Sequence, residues 1–166
     1  MTKLNVSKTL GLALGCVALG LGAPLRAGEQ VPFKGNFNPL ILSATPLDAT
    51  HVRLDIDVHA QATHLGKARG PAFLILDVTT FSFVGQTTWT AANGDSVFIP
   101  FAGQFSPSTT PGVLDVVETF EVEGGTGRFE GATGSGLITG RADAATLAPL
   151  APPEFVGTIS SPGSLK

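Results

Sequence analysis

The chain has few cysteines and few charged residues, and both shortages limit what it can do. Cys16 is the only cysteine among the 166 residues, and charged residues make up 14% of the sequence. Cys16 lies in an N-terminal segment that we predict to be removed. The remaining chain then has no thiol for catalysis, for a disulfide or for a thiolate metal site. We therefore expect core packing alone to hold the domain together.

The N-terminal segment has the order of features of a secretory signal peptide. Lys3 and Lys8 precede an apolar run over residues 10–21, and small residues follow. This order predicts a signal peptide over residues 1–27, export to the periplasm or the extracellular space, and a single domain over residues 28–166. The apolar run is shorter than the roughly 20 residues of a membrane-spanning helix. No stable membrane span is expected after cleavage.

Positive charge is scarce in the predicted domain. Lys3, Lys8 and Arg26 belong to the leader, which leaves seven basic residues against 13 acidic ones and a net charge of −6. Nucleic acids and anionic membrane surfaces attract basic proteins. This balance therefore argues against both as partners.

Short β-strands separated by turns account for the rest of the sequence. Apolar residues occupy every second position of residues 51–62, which predicts a strand with one buried face. Asn93-Gly94 predicts a hairpin turn between strands at residues 81–92 and 96–105. Further strands are predicted at residues 33–37, 73–78, 113–123, 136–142 and 155–160. Prolines are expected to fray the chain after residue 37. A polar turn is predicted at residues 66–70, and at most one helical turn within residues 143–153. About eight strands without a long helix predict an all-β sandwich or barrel.

A glycine-rich stretch, residues 124–136, is the most conspicuous local feature. It has six glycines in thirteen positions and Phe129 near its centre. Glycine tolerates positive φ and close backbone approach, so the stretch predicts a tight turn and a bend, with Phe129 plugging the barrel. A Phe-x-Gly pattern begins at Phe33, Phe101, Phe129 and Phe155. The first and last predicted strands share it, which favours a closed, eight-stranded antiparallel barrel over a β-sandwich.

Residues 119–134 resemble a motif of the allene oxide cyclase and dirigent barrels, Gly-Gly-(Thr/Ser)-Gly-x-Phe-x-x-(Ala/Val)-x-Gly. The turns at residues 64–67 and 92–95 are similar to those of uncharacterised secreted bacterial proteins of this barrel class. The motif positions are Gly124, Gly125, Gly127, Phe129, Gly131 and Gly134. The resemblance implies an up-and-down barrel that often self-associates, so a homo-oligomer is an expectation. It also implies a cavity that takes a small apolar molecule.

The sequence has no recognisable catalytic constellation. The cyclases use a cysteine in the cavity, which the predicted domain lacks, and the paired aspartates of dirigents have no counterpart at matching positions. We therefore predict an exported barrel that binds a small apolar ligand or serves as a scaffold without catalysis. A cyclase- or isomerase-like enzyme acting in the cavity and an extracellular interaction module with a filled core are the alternatives.

Four residues are candidates for ligand binding, each with a simpler structural interpretation. Asp57 and His59 share one face of a strand. They either bind an ion or a proton between them or belong to a solvent-exposed face of mixed charge. Arg128 either binds an anion together with nearby glycine N–H groups or simply lies on the surface. Trp89 lines a pocket or packs in the core. No metal site is expected, because too few ligands converge. No cofactor is expected, because the glycine-rich stretch lacks the Lys-Ser/Thr pair that ends a phosphate-binding loop.

Overall fold

The structure, a computed structural model, describes residues 28–160. Within them, eight strands form a closed antiparallel barrel in which each strand pairs with its neighbours in sequence and the last pairs with the first. The strands are β1 (Gln30–Pro46), β2 (His51–Ala62), β3 (Gly66–Asp77), β4 (Ser82–Ala91), β5 (Ser96–Pro107), β6 (Val113–Glu123), β7 (Thr133–Asp143) and β8 (Glu154–Ser160). The predicted all-β barrel is confirmed, and the sandwich is not observed.

The predicted domain, residues 28–166, is described up to residue 160. The predicted signal peptide lies outside the described residues. Within residues 28–160, a short 3-10 helix lies at Gly127–Phe129, and no helix is long and apolar enough to cross a membrane.

The alternating pattern of each strand places the core inside the barrel. In β2, Leu54, Ile56 and Val58 are buried, while His59 and Gln61 between the inward positions are exposed. Side chains of a strand point to opposite faces in turn, so the apolar set of every strand converges on the barrel axis. The interior is therefore a single apolar core.

β1 is the longest strand because two partners share it. Residues 30–36 pair with β8, and residues 35–46 pair with β2. Gly35 pairs with both, and a Cβ there would collide with the Gln61 carbonyl of β2. Pro39 and Pro46 were predicted to fray this strand, but both lie where β1 pairs with β2 alone. Proline is tolerated there because its missing N–H faces the unpaired side.

Inward glycines in β7 and β8 make room for an aromatic ring of β6. A Cβ on Gly136 would lie 2.5 Å from the Phe120 ring, and one on Gly157 would lie 2.9 Å from it. Glycine at these two positions therefore lets β6, β7 and β8 curve around Phe120. Phe33, Phe101 and Phe155 also point inward, each with an inward glycine two residues later.

The structure corrects the predicted turn at residues 66–70. These residues begin β3, and the turn lies earlier, at Thr63–Leu65, where His64 has φ of 63° and Gly66 has φ of 71°. Lys67 and Arg69 point outward and alternate with Ala68 and Gly70, which point inward. Small inward residues let a strand with polar outer residues fit the narrow interior. Residues 144–153 contain no helix, and a single turn at residues 144–146 is closed by a hydrogen bond from the Leu147 N–H to the Asp143 carbonyl.

Candidate functional site

The barrel interior contains a cavity at one end. This end, which we call the open end, carries the loops that join β1 to β2, β3 to β4, β5 to β6 and β7 to β8. The opposite end, which we call the glycine end, carries the glycine-rich loop between β6 and β7. The cavity has a volume of about 100 Å³. An engineered apolar cavity of about 150 Å³ in another protein takes benzene, so the space here suits a body of about one ring.

The cavity wall is almost entirely apolar. Its aliphatic part comes from Leu54, Ile56, Leu74, Ile99, Val116 and Ile138. Thr87 adds a hydroxyl, which already donates a hydrogen bond to the Pro71 carbonyl at 3.1 Å. Such a surface favours an apolar ligand through the hydrophobic effect.

Trp89 forms part of the floor and brings an unpaired donor. Its ring packs against Phe37 and Phe155, with centroid distances of 5.8 Å and 5.4 Å. Its indole Nε1 is buried, and within residues 28–160 it has no hydrogen-bond acceptor. A buried N–H without an acceptor costs about 1–3 kcal/mol.

Glu118 is an acidic residue at an inward position. It lies on β6 between the buried Val116 and Phe120 and lines the cavity. Desolvation by the surrounding apolar side chains raises the pKa of the Glu118 carboxyl to about 7. The residue keeps some accessible surface, but that surface borders the cavity rather than the outer face. Glu118 can therefore hold or release a proton near neutral pH.

Three phenylalanines surround the same part of the cavity. Phe83 packs against Phe105 with ring centroids 4.9 Å apart, and against Phe101 in an edge-to-face contact at 6.4 Å. All three line the cavity together with Glu118. We call Phe83, Phe101 and Phe105 the aromatic triad.

Aspartates order three of the loops around the cavity mouth. Asp48 accepts hydrogen bonds from the Thr50 and His51 backbone N–H groups, which lowers its pKa to about 2. Asp77 accepts hydrogen bonds from the side-chain hydroxyl and the backbone N–H of Thr79, which lower the pKa of Asp77 to about 2. Asp143 is bonded to Thr146, again with a lowered pKa. These turns fix the loops without closing the space between them.

The last of these loops also covers part of the cavity. Leu147, Pro149 and Pro153 line the mouth, and Leu147 has φ of 60°. This left-handed conformation is strained for leucine. The loop is held by hydrogen bonds from the Leu150 N–H to the Arg141 carbonyl and from the Phe37 N–H to the Pro153 carbonyl.

The structure places two of the sequence-predicted binding residues outside the barrel. Asp57 and His59 point outward from β2, with a carboxylate–imidazole distance of 3.1 Å. The His59 side chain is 62% exposed. Within the described part of the chain, no three His, Cys, Asp or Glu side chains come together as a metal-ion site. The pair is therefore a solvated surface contact, remote from the cavity.

Arg128 lies at the glycine end, in contact with the β4–β5 turn. Its Nε donates to Asp95 at 2.9 Å, and its guanidinium lies 5.2 Å from the Phe129 ring centre. Ser96 and Thr126 add a second contact between the same two loops, with hydroxyls 2.9 Å apart. The geometry gives Arg128 a structural contact, whereas Trp89 is the sequence-predicted residue that lines the cavity.

Sequence reasoning missed Glu118 as a site residue, although the pattern contained a signal. In residues 113–123 the inward positions are 114, 116, 118, 120 and 122, and all but Glu118 are apolar. Three outward acidic residues on the same strand, Asp115, Glu121 and Glu123, make this exception hard to notice in the sequence. A charged residue at an apolar strand position is the informative exception.

Comparison with known proteins supports the fold. The structure is similar to that of the pterocarpan synthase dirigent protein GePTS1, with a TM-score of 0.52 over 92% of this chain and 97% of that chain. The two sequences are 11% identical. No protein-family model matches the chain, and no curated protein matches it. The likeness shows a shared dirigent-like barrel fold.

Proposed function

We propose that the barrel binds a small apolar molecule in the open-end cavity without catalysing its conversion. The observation that carries this proposal is an apolar cavity of about 100 Å³ that the Trp89 side chain helps to line. A ligand that fills the space removes apolar surface from water. The leader predicted over residues 1–27 supports action outside the cytoplasm.

Trp89 also provides a direct readout, because it is the only tryptophan in the sequence. Titration with toluene, excited at a wavelength that only the indole absorbs, should change the Trp89 emission in a saturable way. Toluene has one ring and no charge, so it tests the apolar cavity alone.

A matched pair of substitutions locates the binding. Ala72 lines the cavity, whereas Ala102 is exposed on the outer face of β5. Ala72→Leu should fill the space and weaken toluene binding at least about tenfold, while Ala102→Leu should leave it unchanged. Thermal melting of both variants checks that each is folded. Equal binding to both, or no saturable change in the native protein, would contradict the proposal.

A cyclase- or isomerase-like enzyme is the second candidate, because Glu118 can carry a proton inside the cavity at neutral pH. The same experiment distinguishes the two with styrene oxide, a one-ring epoxide whose opening is promoted by acid. Binding and unchanged release support the non-catalytic proposal. Turnover that Glu118→Gln abolishes would favour the enzyme instead.

A further inference from the structure

We propose that the Glu118 side of the cavity is a site for a protonated amine carried on a body of about one ring. This inference rests on the proposed binding function and names the chemical class of its ligand. It follows from the position of one carboxyl beside three aromatic rings, with no opposite charge paired to that carboxyl among the described residues.

The first step is the contact between Glu118 and the aromatic triad. Gly103 lies beside both, because Gly103 pairs with Phe83 on one side and with Glu118 on the other. A Cβ on Gly103 would lie 2.7 Å from the Glu118 Cγ and 2.7 Å from the Phe83 Cζ. The two atoms are therefore no more than twice that distance apart. Glycine at this position is what leaves room for the carboxyl next to the ring.

The second step is the character of the triad. Phe101 and Phe105 lie on β5 and pack on Phe83 of β4, so their rings form one wall beside Glu118. The face of an aromatic ring is electron-rich and attracts cations, most strongly where water is excluded. A carboxylate and aromatic rings that line the same cavity therefore provide the two kinds of group that bind an ammonium.

The third step is the absence of a partner for the carboxyl. The strands that flank β6 present Gly103 and Ile138 beside Glu118, and the inward positions of β1 to β4 that line the cavity carry no charge among the described residues. Arg141 also lines the cavity, but its guanidinium binds Asp115 at 3.2 Å and the Ser108 hydroxyl at 3.0 Å. No hydrogen bond or opposite charge offsets the desolvation that raises the pKa of Glu118.

These conditions separate ligand classes. An ionised carboxyl in an apolar space is unfavourable unless a cation pairs with it, and a ligand ammonium is such a cation. An anionic ligand would be repelled. A neutral apolar ligand desolvates the carboxyl further, so it binds better when Glu118 is protonated. The affinities of amines and of neutral ligands should therefore change in opposite directions with pH.

The experiment compares benzylamine with toluene, which share a ring and differ in the ammonium group. Trp89 emission and calorimetry follow binding between pH 5.5 and 8. With a pKa of about 7, roughly one Glu118 carboxyl in thirty is ionised at pH 5.5 and most are ionised at pH 8. Benzylamine should bind about tenfold or more tightly at pH 8 than at pH 5.5, whereas toluene should bind less tightly at pH 8.

Two variants assign the effect to one carboxyl. Glu118→Gln should abolish the preference for benzylamine over toluene and remove the pH dependence of both ligands. Glu121→Gln, which neutralises an exposed carboxyl on the outer face of the same strand, should behave as the native protein. Thermal melting confirms that both variants fold.

The outcomes separate this inference from the proposed function. If neither toluene nor benzylamine binds, the cavity proposal itself is wrong. If toluene binds but benzylamine shows no gain on raising the pH, or keeps its gain in Glu118→Gln, the amine site is wrong and the cavity proposal stands. A gain that Glu118→Gln removes and Glu121→Gln keeps supports both.

Discussion

At the glycine end of the barrel, Phe33, Val97, Phe129 and Ile159 have no accessible surface, whereas at the open end Phe101 and Leu147 are only partly buried around a cavity. The glycine end is closed by loops that contact one another, through Arg128 and Asp95 and through Ser96 and Thr126. At the open end, three of the four loops are ordered by their own aspartate, and the loops bond to one another in pairs, from the Val78 N–H to the Thr50 carbonyl and from the Ala144 N–H to the Gly112 carbonyl. The packing of the glycine end therefore stabilises the fold, whereas the open end contains the cavity.

The largest expected difference between the two ends concerns a phenylalanine at each. Phe129→Ala should lower the free energy of unfolding by about 3–5 kcal/mol, because the ring is fully buried and its loss leaves a cavity. Phe81→Ala, at an exposed position of the β3–β4 loop, should cost less than about 1 kcal/mol. Chemical denaturation measures both. Similar losses in the two variants would contradict the division between a packed end and an open one.

The next effect belongs to the open end and depends on pH. The folded protein keeps a proton on Glu118 up to about pH 7, whereas the unfolded chain releases it near 4.5. The unfolded state therefore binds fewer protons in this window, and stability should fall as the pH rises from about 4.5 to above 7. The shift corresponds to a loss on the order of 3 kcal/mol at pH 9. Denaturation of the native protein and Glu118→Gln at pH 5 and pH 9 tests this.

In that comparison, the native protein should lose stability relative to Glu118→Gln as the pH increases, and a constant difference would refute the assignment. Asp48, Asp77 and Asp143 act with the opposite sign. Their pKa values are lowered, so their stabilisation is present above the unfolded value of 3.8 and is lost as the pH falls below it, toward about 2 for Asp48 and Asp77. Maximum stability is therefore expected near pH 5.

The smallest effect compares a glycine at each end. Gly127 has φ of 61°, and a Cβ there would collide with the Asp95 carboxylate that binds Arg128. Gly112, in the β5–β6 loop, has φ of 75°, and a Cβ there would meet no atom within 4 Å. Gly127→Val should cost about 1–3 kcal/mol, and Gly112→Val less, because only backbone strain applies. The difference in melting temperature measures this, and an equal cost would show that the Asp95 contact is unimportant.

The strands that could be predicted best were those whose pattern depends on local physics. β6 begins and ends at the predicted residues, and the Asn93-Gly94 turn lies where the hairpin signal placed it. The prediction of β1 was too short, because Pro39 and Pro46 are compatible with a strand only if one of its sides is unpaired. That condition depends on where β8 ends, which no local pattern contains.

The candidate site was harder to predict for the same reason. Trp89 lines the cavity, which is one of its two interpretations from the sequence, whereas Asp57 and His59 lie on the outer face and Glu118 was not a candidate. Which face of a strand turns inward follows from its apolar positions. Whether an inward residue lines the cavity or packs against an aromatic ring depends on residues far away in the sequence, such as Gly103.

The unequal lengths of β1 and β8 have a consequence for self-assembly into fibrils. Beyond Asn36, β1 extends past its partner β8, so this part of the closed sheet presents a stretch of strand edge. An exposed edge is where a second chain adds by backbone hydrogen bonding. Pro39 and Pro46 supply no N–H at this edge, and Pro153 already accepts the Phe37 N–H. The prolines that obscured the strand in the sequence thus protect it from aggregation.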